Sequence, residues 1–400
     1  MIYRCKGCGG VLEYSIELAK MECVHCGNTY TIEEISSSQK KEEEGEYVSE
    51  REVKNARKRA TIPMQIIRCT SCGAELAING VEVSSYCTYC GQATVVKDRV
   101  QDVLIPDFII PFRKTRDFAK CVIQETLSNA PFVPKGLKHF EVDKIRGIYV
   151  PFWLFDVDCY GRQYYSFYKN SGKYTVKRYE YFEGKTVFRQ MTVDASKTLN
   201  DDVSARLEPY DLSRLEKFND AYLAGFYADR FDVGTDDSAL SAENKAIELF
   251  CAEASKQLWS KNPYLENGKY DVNVLDTQYA LLPVWFLTFR YENDSYTMLV
   301  NGQTGKVVGS VPFDKLKVLR TFIGLSVLFG SISAFLCYWV LRAFCFVGMP
   351  LFAVAFLFCV AFFAIIRIAV GVEGYKKLKE NVEFTTSSEM NRYVKERKGK

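Results

Sequence analysis

Four Cys-x2-Cys pairs constrain this chain more than any other feature. They are Cys5/Cys8, Cys23/Cys26, Cys69/Cys72 and Cys87/Cys90, and successive pairs form two blocks of C-x2-C-x14-C-x2-C spacing. The second block repeats the first 64 positions later, and a glycine follows the second cysteine of every pair: Gly9, Gly27, Gly73 and Gly91. A pair on a tight turn offers two thiolates to one ion, and Zn2+ takes four soft or borderline ligands in a tetrahedron. The glycine allows a turn with positive φ and aims backbone amides at the sulfurs. Each block therefore reads as a zinc ribbon. The eight cysteines read as ligands of two structural Zn2+ ions, with no coordination position left open for catalysis. Iron is the rival metal for four thiolates, and disulfides are the rival chemistry. His25, between Cys23 and Cys26, reads as a loop residue.

The N-terminus opens MIYRCKGCGG, without the apolar stretch of a secretory signal. The ribbons are accordingly expected in the cytosol, where thiols stay reduced and such pairs favour metal over disulfide. Charge then bears on the partner. Lys and Arg number 52 against 49 Asp and Glu, a net charge of +3 that does not suggest a general polyanion binder. The first ribbon sets Arg4, Lys6 and Lys20 against Glu13, Glu17 and Glu22; the second sets Arg68 and Lys97 against Glu75, Glu82 and Asp98. Neither ribbon has the basic face that phosphate binding requires, so both read as protein-interaction modules.

The expected organisation is multi-domain. Zinc ribbons occupy 1–35 and 64–99, joined by a charged linker over 36–63. An α+β domain with two related halves follows over 100–316. Its strand-like runs include GIYVPFWLFDVD and YALLPVWFLTFRY, and Val150–Phe155 resembles Leu282–Leu287. Helical periodicity marks 115–128, 211–228 and 238–260, the last through Leu240, Ile247, Cys251, Ala254 and Leu258. Asn301-Gly302 and Thr304-Gly305 supply the positive φ angles of a hairpin.

Residues 321–341 and 343–366 hold no charged side chain, and about 20 apolar residues suffice to span a bilayer. A two-helix transmembrane hairpin is therefore expected over 317–370, with a basic tail over 371–400. Lys315, Lys317 and Arg320 lie just before the first apolar run and Arg367, Lys376, Lys377 and Lys379 at and after the end of the second, against Arg342 alone in the turn. By the positive-inside rule this places both termini in the cytoplasm and the chain in the cell membrane, as a multi-pass protein.

No GxSxG, HExxH, Walker or dinucleotide-binding motif is present. Asp156 and Asp158 are the carboxylate pair considered for acid–base work; two polar residues on the solvent side of a strand are the commoner meaning. A non-enzymatic protein is expected.

Several motifs together resemble one family, the bacterial TFIIB-type zinc-ribbon membrane proteins, often mislabelled as primosomal helicases. They are the Cys5–Cys26 block, Tyr149-Val-Pro-Phe-Trp-Leu-Phe-Asp156, Ala221-Tyr-Leu-Ala-Gly-Phe-Tyr-Ala-Asp229, Tyr279-Ala-Leu-Leu-Pro-Val-Trp285 and Asn301-Gly-Gln-Thr-Gly-Lys-Val-Val-Gly309. The resemblance implies no established catalytic activity. It implies association with phage-shock (PspA-like) and flotillin-like (SPFH) membrane-stress systems. The expected function is thus a membrane-anchored adaptor that presents zinc ribbons and a β-rich platform to protein partners and membrane lipid. A membrane-tethered nucleic-acid-binding regulator is the alternative. A hydrolase or transferase using the carboxylates near Asp156 is the third.

Overall fold

The runs YVPFWLF and YALLPVWFL show no polar alternation because the strands that hold them are covered on both faces. In the computed structural model, the described residues are 3–35, 61–70, 74–78, 87, 95–129, 133–134, 145–171, 174–196, 201–259, 263–291, 294–309 and 314, with isolated positions from 316 to 342. The elements begin with β1 (Leu12–Ser15), β2 (Lys20–Cys23), β3 (Thr29–Tyr30) and a single helical turn, α1 (32–35). Next come β4 (Thr61–Cys69), β5 (Glu75–Ile78), β6 (Val95–Leu104), β7 (Phe108–Ile109), α2 (Arg116–Asn129), β8 (Arg146–Ser171) and β9 (Tyr174–Asp194). They continue with α3 (Asp201–Leu207), β10 (Glu216–Lys217), β11 (Tyr227–Asp229), α4 (Thr235–Gln257), β12 (Tyr264–Tyr291), β13 (Asp294–Asn301) and β14 (Val307–Gly309).

Strands β1 to β3 form a small sheet, and the other eleven form one large sheet. Its axis is the antiparallel ladder between β8 and β12, which runs from Arg146/Phe286 to Ser166/Tyr264. On one face Tyr149, Trp153, Phe155, Tyr279 and Trp285 pack against α2, α4 and the small sheet; on the other Ile148, Val150, Phe152, Leu282 and Val284 pack against α3 and Tyr210.

The order β7–α2–β8–β9 recurs as β11–α4–β12–β13, and the opening strands are exchanged: β7 lies parallel to β12, and β11 parallel to β8. Trp153 Nε1 donates to the Val233 carbonyl at 2.9 Å, and Trp285 Nε1 to the Lys114 carbonyl at 2.8 Å. Phe231 packs on Trp153 at 5.4 Å and Phe112 on Trp285 at 4.9 Å, centroid to centroid. The Ala195 carbonyl accepts from the amides of Asp232 and Val233, as the Gly302 carbonyl accepts from those of Arg113 and Lys114.

The expected architecture is corrected in several places. The large sheet dominates, in place of separate modules ending in a two-helix transmembrane hairpin. Among the described residues no helix is long and apolar enough to cross a membrane. The multi-pass membrane localisation, with both termini cytoplasmic, is withdrawn with that hairpin. An apolar run reports composition only, and a span needs one continuous helix. Most of 317–370, and all of the tail 371–400, lie outside the described residues, as does the linker 36–60. The second ribbon is not a free module, since β5 pairs with β11 and carries β4 and β6 into the large sheet. Boundaries at 63/64 and 99/100 fall inside β4 and β6.

Helix α2 lies where its periodicity places it, but 211–228 forms two 3-10 turns and short strands. Gly225, at φ +87°, turns the chain before β11. In α4 the buried face is Ala242, Ala246, Phe250 and Ala254, while Leu240 is 64% exposed. Small alanines let the helix approach the sheet, and hydropathy alone had favoured the leucine. In the last hairpin only Gly305 has positive φ. Gly302 is small for steric reasons, because a Cβ there would stand 2.6 Å from the Phe112 ring.

The two tryptophans hold equivalent places, so Trp153→Ala and Trp285→Ala should each destabilise by about 3–5 kcal/mol. Urea denaturation followed by circular dichroism checks this. A large loss from one and none from the other would contradict the equivalence.

Candidate metal centre

Each knuckle of the first block is built by the same backbone bonds. Cys5 N–H donates to the Gly10 carbonyl at 2.8 Å and Gly9 N–H to the Cys5 carbonyl at 2.9 Å. Cys23 N–H donates to Asn28 and Gly27 N–H to Cys23, both at 2.9 Å. Gly9 and Gly27 both have φ +72°, and a Cβ at either would meet no atom within 4 Å. The glycines are thus required by conformation and not by crowding. The β1–β2 hairpin and the return through β3 bring the knuckles together. After β3, Thr31 Oγ1 accepts from Glu34 N–H and Glu34 Oε2 from Thr31 N–H, a reciprocal cap on α1.

The sulfurs of Cys5, Cys8, Cys23 and Cys26 all lie within 4.8 Å of one another, and this group can hold a metal ion. Cys5 Sγ is 3.6 Å from Cys26 Sγ, and Cys8 Sγ is 3.5 Å from Cys23 Sγ. A tetrahedron with metal–sulfur bonds of about 2.3 Å has edges of about 3.8 Å, so the donors fit. Cys5 and Cys23 are buried, whereas Cys8 and Cys26 are exposed. His25 is not among the clustered donors.

Four thiols this close do not ionise independently. The Tyr30 hydroxyl, 3.3 Å from Cys5 Sγ, lowers the Cys5 thiol to about 6, assisted by amides of Cys8 and Gly7 and opposed by partial burial. Cys8 receives the Gly10 amide, yet the neighbouring sulfurs of Cys26 and Cys23 push it up to about 12. Negative charge gathered on the inner sulfurs is what a dication relieves.

The ribbon is docked on the large domain. Tyr14 N–H donates to the Ala224 carbonyl at 3.1 Å, and the Tyr14 and Tyr222 rings meet edge to face at 5.1 Å. Tyr3 hydrogen-bonds Asp220, and Tyr222 hydrogen-bonds Glu216. Sequence reasoning missed both Tyr30 and this contact. The segment Ala221–Asp229 was visible as a motif, but nothing in its residues named the ribbon as its partner.

Of the second block, Cys69 and Cys87 are described and both are buried, at 2% and 4% exposure. Cys69 N–H donates to the Ala74 carbonyl at 2.9 Å, the knuckle bond again. Cys72 and Cys90, with Gly73 and Gly91, lie outside the described residues. The carboxylates near Asp156 have structural partners. Asp156 pairs with Arg189 at 3.2 Å and accepts from the Gln190 amide at 2.7 Å, holding Gln190 at φ +51°. Asp158 pairs with Lys185 at 2.8 Å.

Neither a family model nor a solved structure matches this chain. It is similar to a Bacillus subtilis (strain 168) protein described as uncharacterized protein YdjG, 28% identical over 346 residues that cover 81% of this chain and 94% of that one.

Two outcomes are expected. Gly9→Ala or Gly27→Ala should destabilise the ribbon by roughly 1–2 kcal/mol, the cost of a left-handed residue with a Cβ, read by thermal melting. Stripping the metal with a chelator should raise amide hydrogen exchange both in 3–35 and around Tyr222–Gly225. Protection that persists at Tyr222–Gly225 would show the ribbon to be energetically separate.

Proposed function

We propose that the protein is a non-enzymatic adaptor that displays a zinc-stabilised ribbon and a β-rich platform to protein partners. The observation that carries this reading is the closed donor set of Cys5, Cys8, Cys23 and Cys26. Four thiolates fill the tetrahedral shell of Zn2+, so an ion held there stabilises structure and has no position for a substrate. We extend the assignment to Cys69, Cys72, Cys87 and Cys90, giving two structural Zn2+ ions per chain. The buried sulfurs of Cys69 and Cys87 and the shared knuckle bond support that extension. Exposed Leu18 and Val24 on the ribbon give it apolar surface to offer a partner. PspA-like and SPFH proteins are the candidates that the family resemblance implies.

Elemental analysis of the purified chain should find two zinc ions. In a binding assay with a purified PspA-like or SPFH protein, Leu18→Asp with Val24→Asp should weaken capture while leaving zinc content unchanged. Less than one zinc per chain sinks the metal assignment, and undiminished capture by the double variant sinks the ribbon as the docking element.

A further inference from the structure

Beyond Asp156 the strands β8, β9 and β12 continue as a three-stranded arm with two outer edges. One face lies under α4: the Phe250 ring fills the space above Gly161, where a Cβ would approach within 2.4 Å. Among the described residues β9 pairs with β8 alone. An unpaired edge is a template for another strand, and chains commonly block it with a proline or a bulge. The β12 edge is interrupted in that way, by register shifts at Leu265/Asn267 and Val274/Asp276. The β9 edge is not. Val176-Lys-Arg-Tyr-Glu-Tyr-Phe182 holds no proline or glycine, and its register against β8 is unbroken. Val176, Tyr179 and Tyr181 are exposed there.

Charge also blocks an edge when like charges would face one another across it. The other cations of β9 are already committed within the chain: Lys177 to Glu266, Lys185 to Asp158 and Arg189 to Asp156. Arg178 is exposed, and neither it nor Glu180 enters an ion pair among the described residues. Both side chains lie on the α4 face of β9. Glu180 Oε1 accepts from the Trp259 amide at 3.2 Å, which sets a 95% exposed tryptophan beside this edge.

We propose that β9 pairs antiparallel with β9 of a second copy of this chain, about a two-fold axis at Tyr179, joining two large sheets into one. The occupant follows from charge, because the sequence of the edge is its own complement. With Tyr179 opposite Tyr179, Arg178 faces Glu180 of the second copy and Glu180 faces its Arg178. Val176 faces Phe182 and Lys177 faces Tyr181, each pair again formed twice. Opposite charges and aliphatic or aromatic pairs are the cross-strand combinations that stabilise a ladder. This register keeps both α4 helices on one side of the joined sheet. A slip of two residues either way keeps them there but sets Arg178 against Arg178 or Glu180 against Glu180, so the register is specified. A two-fold interface of this kind uses one patch on both copies and closes on itself as a dimer. The edge is separate from both cysteine blocks, and the inference does not rest on the adaptor reading.

The test is sedimentation velocity of the full chain over a range of concentrations, which should show a monomer–dimer equilibrium. Arg178→Glu and Glu180→Arg should each weaken dimerisation about tenfold or more, because each sets like charges opposite one another twice. Mixing the two variants should restore the dimer, since two glutamates of one chain then face two arginines of the other. A thermal melt confirms that each variant folds, and rescue by mixing separates a lost contact from a damaged fold. A monomer at every concentration, a dimer indifferent to both single variants, or folded variants that stay monomeric when mixed would each overturn the proposal.

Discussion

The antiparallel ladder between β8 and β12 is the interaction on which the rest of the structure is hung. β9 and β11 attach to β8, and β7 and β13 attach to β12. Among the described residues, the second cysteine block reaches this ladder through β5 and β11. A strand buried on both faces forfeits alternation, which is why these segments read as unbroken apolar runs. Where the ladder outruns its covering helices the pattern changes at once, and polar and aromatic side chains alternate with the face under α4.

The metal centre is coupled to that framework by a contact of ordinary size. A segment of this length has little core of its own, so an ion held by Cys5, Cys8, Cys23 and Cys26 would contribute folding energy. Tyr14 packs on Tyr222 in the segment that leads to β11, and β11 pairs with both β5 and β8. Tyr30 belongs to this arrangement as well, because its hydroxyl stabilises the charged form of a sulfur at the ribbon's buried side.

Much of the first site was legible in the sequence because its geometry is local. A Cys-x2-Cys pair with a following glycine specifies a turn, and Gly9 and Gly27 adopt the left-handed conformation that the turn requires. Trp153 and Trp285 were legible as related positions because their neighbours repeat. What stayed hidden depends on distant partners. Nothing local reveals that β5 would join β11, or that Tyr14 would meet Tyr222. The stripe chosen for α4 weighted leucine over alanine, whereas close packing on a sheet rewards the smaller side chain. The apolar runs near the C-terminus were counted as length, which is no substitute for a placed helix. Asp156 was weighed for acid–base work against a plain polar strand position, and it pairs with Arg189 and the Gln190 amide where the β8–β9 register shifts.

The exchange of β7 and β11 has a consequence for how such a chain can be divided. Each repeat lends its first strand to the other, and each tryptophan closes on a carbonyl of the opposite repeat. A single repeat, cut free, would carry a lent strand with no recipient and a ladder edge with no cover. Neither need is met within one repeat, so the exchange ties the two repeats into a single unit.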